Sequence, residues 1–265
     1  EECLSKGYKS CIKKRCVKGS LFASVVRVFS MKFHKMINVY KNVYAFITPS
    51  EFLKKKLSLN GFEEKRIHCI PTFTASKTTI GKQQIGSYGL YFGRVTEEKG
   101  VETVIKAYEK LPEYTVKIMG DDTTDEAKRL KKYVENHKMK NVEFLGFKSG
   151  AELENVIKGA RFTLIPSIWY DNLPNTALES FQYSKPVIAS NIGSLPELVI
   201  DGENGYLFKP SNVEDLIKKI KMLDDDTLVK KMGQASRKRL ESRFAPQTHY
   251  EDLMKIFNEA VKSRK

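Results

Sequence analysis

The sequence predicts an α/β protein organised around a parallel β-sheet with helices on both faces. Between residues 88 and 208, short apolar runs alternate with longer stretches of helical periodicity. Successive runs are far enough apart to hold a helix, which makes the connections right-handed crossovers and the strands parallel. The stretch 162–197 gives one such unit complete: an apolar run at 162–165, the polar loop Asn172-Leu173-Pro174-Asn175, a helix start, and a second apolar run at 186–189. Its loop belongs at the carboxyl end of a strand, where open α/β sheets bind ligands.

The strands are expected at 88–92, 115–119, 142–145, 162–165, 187–190 and 206–208. Helices are expected between them at 100–110, 125–137, 151–158, 175–183 and about 196–199. Three more helices close the chain at 213–223, 227–243 and 247–261. Residues 75–86 are polar, poor in large apolar side chains, and read as a linker. Ahead of it, residues from about 19 to 42 form an amphipathic helix. Leu21, Val25, Val28, Phe29, Met31, Phe33, Met36 and Ile37 make its apolar stripe, with Arg27, Lys32 and Lys35 beside it. A strand at 43–47 leads to Ser50, an expected N-cap for a helix through Leu59 that Asn60-Gly61 ends. Residues 67–73 read as a strand broken at Pro71.

At 265 residues and 41% apolar content, the chain holds one large domain, or one domain with part of another. No run of 18 apolar residues offers a membrane span, and the start lacks a signal-peptide h-region. The opening Glu1, without methionine, suggests a start within a longer protein or a chain that has been cut. Of the net charge of +14, residues 1–70 supply +10, from 15 Lys or Arg against 5 Asp or Glu. That balance suits an anionic membrane surface or a phosphorylated substrate, or is simply a lysine-rich solvated face. Nucleic acid is not an expected partner, because no nucleic-acid-binding signature accompanies the charge. Cys3, Cys11, Cys16 and Cys69 lack the C-x2-C knuckle of a zinc site, so reduced, buried thiols of a cytoplasmic protein are expected. The four histidines do not cluster.

Four loops at one sheet edge carry polar chemistry. After the first regular strand, Gly93 permits close backbone approach, and Arg94 and Lys99 offer a fork and a point charge suited to a diphosphate. The competing reading pairs these cations with Glu97 or Glu98. Gly146-Phe147 ends the third strand, where a flat base can lie against backbone groups or a plain turn can form. Asp171 and Glu179 stand eight positions apart across a helix start. They read as acceptors for sugar or ribose hydroxyls, as an acid/base pair, or as acids placed by the helix dipole. A Gly/Ser loop follows at 191–197. Together these features suggest a pocket for a nucleotide-diphosphate sugar.

These residues resemble the retaining glycosyltransferases of family 4, also called glycosyl transferases group 1. The resemblance rests on GRVTEEKG at 93–100, FLGF at 144–147, D-x7-E from 171 to 179, KPVIASNIGSLPELV at 185–199 and DGENGYLF at 201–208. FITPSEFLKKKL at 46–57 and IPTF at 70–73 extend it toward the N-terminus. It implies a GT-B fold, with one complete Rossmann-like donor domain at 76–245. Residues 1–75 would be a remnant of the N-terminal acceptor domain, and a helix at 246–265 would return to that domain. The family would give Arg94 and Lys99 the donor diphosphate and its leaving-group charge, and Glu179 the ribose hydroxyls. Gly93, Asp171, Asn172, Leu173, Pro174, Asn175 and Thr176 would line the donor, and the backbone at Phe147 would meet the base. No metal or other cofactor is expected beyond the UDP-, GDP- or ADP-linked sugar itself. The implied reaction moves a hexose to a glycan or lipid-linked acceptor in cell-surface polysaccharide synthesis, in the cytoplasm or at the inner face of the membrane. Alternatives are a non-catalytic nucleotide-sugar-binding subunit working with a separate acceptor-domain chain, and a sugar-nucleotide epimerase. Asp171 departs from the family's usual glutamate by one methylene.

Overall fold

The structure, a computed structural model, describes residues 7–74 and 84–263. The expected linker at 75–86 lies mostly outside the described residues, as does Cys3. The chain divides into two compact units. The first draws on Glu1–Thr48, Leu53–Cys69 and Lys255–Lys265, and the second on Pro49–Phe52 and Ile70–Met254.

In the first unit, helices α1 (Lys9–Lys13) and α2 (Leu21–Met36) precede strand β1 (Phe46–Thr48). Helix α3 (Glu51–Leu59) belongs to the first unit from Leu53 on and to the second at Glu51 and Phe52, and after it strand β2 (Ile67–Cys69) pairs in parallel with β1, Phe46 opposite Ile67. Ser20 caps α2 by accepting the Ala23 N–H. The helix expected to reach residue 42 stops at Met36, because Asn38 takes a left-handed backbone at φ 50° and a 3₁₀ turn (Val39–Asn42) follows. The strand expected at 67–73 ends at Cys69, two residues before Pro71. Arg66 ties the segment together, donating to the carbonyls of Tyr40, Lys41 and Tyr44 beneath the ring of Phe46. Of the thiols expected to be buried, Cys16 is exposed, and Cys11 and Cys69 are half-buried. On α2 only Ser24 and Val28 are buried, and Phe22, Phe29 and Met36 are exposed. No helix among the described residues is long and apolar enough to cross a membrane.

The second unit is built on six parallel strands: β3 (Tyr88–Phe92), β4 (Thr115–Met119), β5 (Val142–Gly146), β6 (Ala160–Ile165), β7 (Val187–Ser190) and β8 (Gly205–Phe208). Helices α4 (Val101–Glu109), α5 (Asp125–Asn136), α6 (Gly150–Gly159), α7 (Asn175–Gln182) and the short α8 (Leu195–Leu198) connect them. Then α9 (Val213–Lys221), α10 (Asp226–Arg243) and α11 (Pro246–Lys262) follow, α11 counting in the first unit from Lys255 on. All six expected strands are present, with ends shifted by at most two residues. Alternate strand residues feed two cores, as a sheet covered on both faces requires. Tyr91 and Ile188 join Val104, Ile105 and Leu130 of α4 and α5. On the other face, Val187 and Ala189 pack with Leu178 and Phe181 of α7 and Leu240 of α10, and Leu90 and Phe92 pack with Ile157 of α6.

The edge opposite the loops described above is held by a buried cation. Lys185, 1% exposed, donates to the carbonyls of Gln84, Lys158 and Ala160 at 2.7, 2.6 and 2.7 Å, using all three of its N–H groups. Burial pushes its pKa down to about 8. Lys185→Met should strand these carbonyls and lower the unfolding free energy in urea by about 3 kcal/mol. An unchanged midpoint would mean that the three bonds contribute nothing net.

Candidate functional site

The strand order, β5-β4-β3-β6-β7-β8, reverses direction between β3 and β6. Chain leaving β3 moves outward through β4, and chain leaving β6 moves outward through β7. Their following loops part at the carboxyl edge, the ligand-binding crevice of open α/β sheets.

The loop after β3 is pinned along its length. Gly93, at φ 146°, donates to Met119 O, and a Cβ there would lie 3.9 Å from Thr176 Cγ2, so position 93 faces the first turn of α7. The buried Tyr91 donates its hydroxyl to Arg94 O, and Thr124 Oγ1 donates to Val95 O at 2.7 Å. Gly100 ends the loop at φ 67°, and a Cβ there would lie 2.1 Å from Pro166 O. Only glycine lets the loop sit this close to the segment after β6. Ile168 N–H donating to Glu98 O at 3.0 Å completes the seat.

Seating the two loops together brings Lys99 to Asp171. Lys99 Nζ is 2.6 Å from Asp171 Oδ1, and Ser167 Oγ donates to Oδ2. The two paired side chains are only 19% and 13% exposed. Among the described residues, Lys99 therefore pairs with Asp171 and not with Glu97 or Glu98, and the exposed Arg94 guanidinium forms no ion pair.

The backbone carrying Asp171 is fixed from the far side. Ser194 Oγ donates to Asp171 O and accepts the Leu173 N–H, both at 2.7 Å. Leu173 sits at φ 58°, a conformation that costs a bulky residue about 1–3 kcal/mol and needs such support. Gly193, at φ 63°, passes so close that a Cβ would be 3.0 Å from Asp171 O. Asn172 Oδ1 accepts from Ser50 Oγ at 2.7 Å. The Glu197 carboxylate takes the N–H groups of Glu51 and Phe52 at 2.8 and 2.6 Å. Ser194 and Glu197 lie in the 185–199 stretch already singled out, but nothing in the sequence assigned a role to them or to Ser167, and their partners appear only once the loops are folded.

Helix α7 begins after Pro174 with no side-chain cap, so the first-turn N–H groups of Asn175 and Thr176 and the positive dipole end face the loop region. Glu179 lies one turn further on. It is half-buried and, among the described residues, has no hydrogen bond or ion pair, and burial raises its carboxyl pKa above the ordinary value. The remaining residue, Phe147, is 74% exposed and follows Gly146, the last residue of β5, with β4 between that strand and β3. The structure thus brings Gly93, Lys99, Asp171 and Thr176 together at the switch point. Arg94 stands on the same loop as Gly93 and Lys99, Glu179 on the same helix as Thr176, and Phe147 lies at the same edge two strands away.

Ser194→Ala should leave the Leu173 N–H without an acceptor and lower stability by about 1–3 kcal/mol in chemical unfolding; no change would mean the loop is held elsewhere. For Glu179 the sign follows from a raised folded pKa. The folded state keeps its proton above the unfolded value of about 4.3, so stability falls as pH rises through that window. Glu179→Gln should therefore unfold at a higher temperature than the wild type at pH 7, with the difference vanishing near roughly pH 3. A less stable variant at pH 7 would contradict the buried, unpartnered carboxylate.

This arrangement has counterparts. A model of the family described as glycosyl transferases group 1 matches residues 76–239, more than half of the chain. An uncharacterized glycosyltransferase of Methanocaldococcus jannaschii is 30% identical over 174 residues, 65% of this chain and 48% of the relative. Glycogen synthase of Mycobacterium tuberculosis is 31% identical over 186 residues, 66% of this chain and 42% of the relative. The solved structure of Anabaena HepE in complex with UDP and glucose has a TM-score of 0.72 at 20% identity, covering 81% of this chain and 63% of its own. The chain spans a little under half the length of these curated relatives. The HepE likeness agrees with the expected GT-B type of fold. With its motifs distributed along the carboxyl edge of one parallel sheet, the chain belongs to the glycosyl transferases group 1 family.

Proposed function

We infer that the second unit binds the donor of a retaining, metal-independent hexosyltransferase. The observation that supports this most directly is the combination at one sheet edge of an exposed guanidinium at Arg94, without an ion pair among the described residues, and an uncapped helix N-terminus at Asn175 and Thr176. The half-buried Glu179 carboxylate, without a partner among the described residues, adds a third element. A diphosphate needs the first two, and ribose hydroxyls need an acceptor such as the third. Arg94 and Lys99 hold the diphosphate and take up the charge that develops on it as the sugar leaves. Glu179 accepts from ribose hydroxyls. The backbone at Phe147 meets the base, and the loop from Asn172 to Thr176 lies along sugar and phosphate. Catalysis is then positioning and leaving-group electrostatics, with no side chain required as a covalent nucleophile.

The acceptor is a glycan or lipid-linked glycan of polysaccharide synthesis, in keeping with the glycogen synthase among the relatives. Because the chain spans a little under half of those relatives, transfer is assigned to this unit together with an acceptor domain, in the same chain or a separate one. UDP is the first nucleotide to test, since the HepE structure holds it.

Titration with UDP, GDP and ADP should give saturable binding to one of them. Arg94→Ala should weaken that binding by about 10–100-fold, the loss of one or two charge-assisted hydrogen bonds, with thermal unfolding unchanged because Arg94 is exposed. Equal affinity in the variant would contradict the assignment.

A further inference from the structure

The geometry points to Asp171 as a positioning residue that acts through Lys99, and not as a group that touches the transferred sugar. The inference rests on the donor-site reading given above. Both carboxylate oxygens of Asp171 already have partners within the chain, Lys99 Nζ on Oδ1 and Ser167 Oγ on Oδ2, in a setting that leaves the side chain 13% exposed. Its backbone carbonyl is taken twice by Ser194, through N–H at 3.2 Å and Oγ at 2.7 Å. Gly193 packs closely against the backbone of Tyr170 and Asp171, which fixes the main chain that carries the carboxylate.

Lys99 is the longer and less tethered side chain of the pair. It ends a one-turn 3₁₀ segment, Glu97–Lys99, on a four-carbon stem that would otherwise sample many rotamers. Held by Asp171, it spends one of three N–H donors and keeps two for a ligand oxygen. Asp171 stands on the loop after β6 and Lys99 on the loop after β3, so this contact sets where the ammonium stands across the strand-order reversal. Ser167, four residues earlier, fixes which carboxylate oxygen faces Lys99. Aspartate at 171 makes this contact at 2.6 Å, and one more methylene would push the ammonium away or rotate the carboxylate off Ser167.

Nucleoside diphosphates carry the diphosphate but no sugar, so they separate the two roles. Asp171→Glu keeps the charge and moves it. By calorimetric titration it should weaken binding of UDP, or of whichever of UDP, GDP and ADP the chain prefers, by about tenfold, as sub-ångström misplacement does. The loss should vanish in a Lys99→Ala background, where no ammonium is left to place. Asp171→Asn, which keeps the shape, should also change affinity only when Lys99 is present, and circular dichroism with thermal unfolding identifies which variants are folded. Unchanged nucleoside-diphosphate affinity in Asp171→Glu, with weaker binding of the nucleotide sugar alone, would overturn the inference and leave the donor site standing. So would a loss that persists at full size without Lys99. Failure of the unaltered chain to bind any of the three would remove both readings together.

Discussion

The site depends on one physical constraint: two loops from strands that are neighbours in the sheet, but lead the chain in opposite directions, must close against each other. Gly100 makes the approach sterically possible, and Lys99 with Asp171 spans it. The pair is not there chiefly for stability. At 2.6 Å its Coulomb attraction in an effective dielectric near 20 is about 6 kcal/mol, while desolvating two ions costs several kcal/mol each. The net is close to zero, so what the pair contributes is position.

The rest of the second unit maintains that position. Its two cores fix β3 and β6 side by side, and Ser194, Gly193 and the left-handed Leu173 hold the Asp171 loop from the side of β7. Strain at Leu173 and a carboxylate at Glu179 unpartnered among the described residues are both unfavourable for folding and are concentrated at the same edge, as expected where a protein keeps groups ready for a ligand. Lys185 belongs to the opposite class. It is a buried charge with every donor used, and it serves the architecture at the far end of the sheet.

Much of this was legible in the sequence, and the parts that were not have a common cause. The six strands follow from apolar runs punctuated by helix-length connections, and the positions of Gly93, Lys99, Asp171 and Glu179 follow from motif spacing. The partner of Lys99 lies 72 residues away, and the nearer Glu97 and Glu98 are equally charged, so no local rule selects Asp171. Ser194 acts through backbone groups that only the folded loop presents, and Glu179 is distinctive for being half-buried without a partner among the described residues, which only the fold reveals. Boundary errors came from single residues. Asn38 turned left-handed and ended α2 early, and β2 stopped ahead of Pro71 while the apolar pattern ran on.

The central claim is that the carboxyl edge of this one sheet recognises a nucleoside diphosphate. Amide proton–nitrogen correlation spectra of the chain, recorded as UDP, GDP or ADP is added, test it most directly. The account predicts saturable shifts confined to the loops at 93–100, 146–148, 171–179 and 191–194. Shifts centred on residues 9–70, or none with any of the three nucleotides, would contradict it.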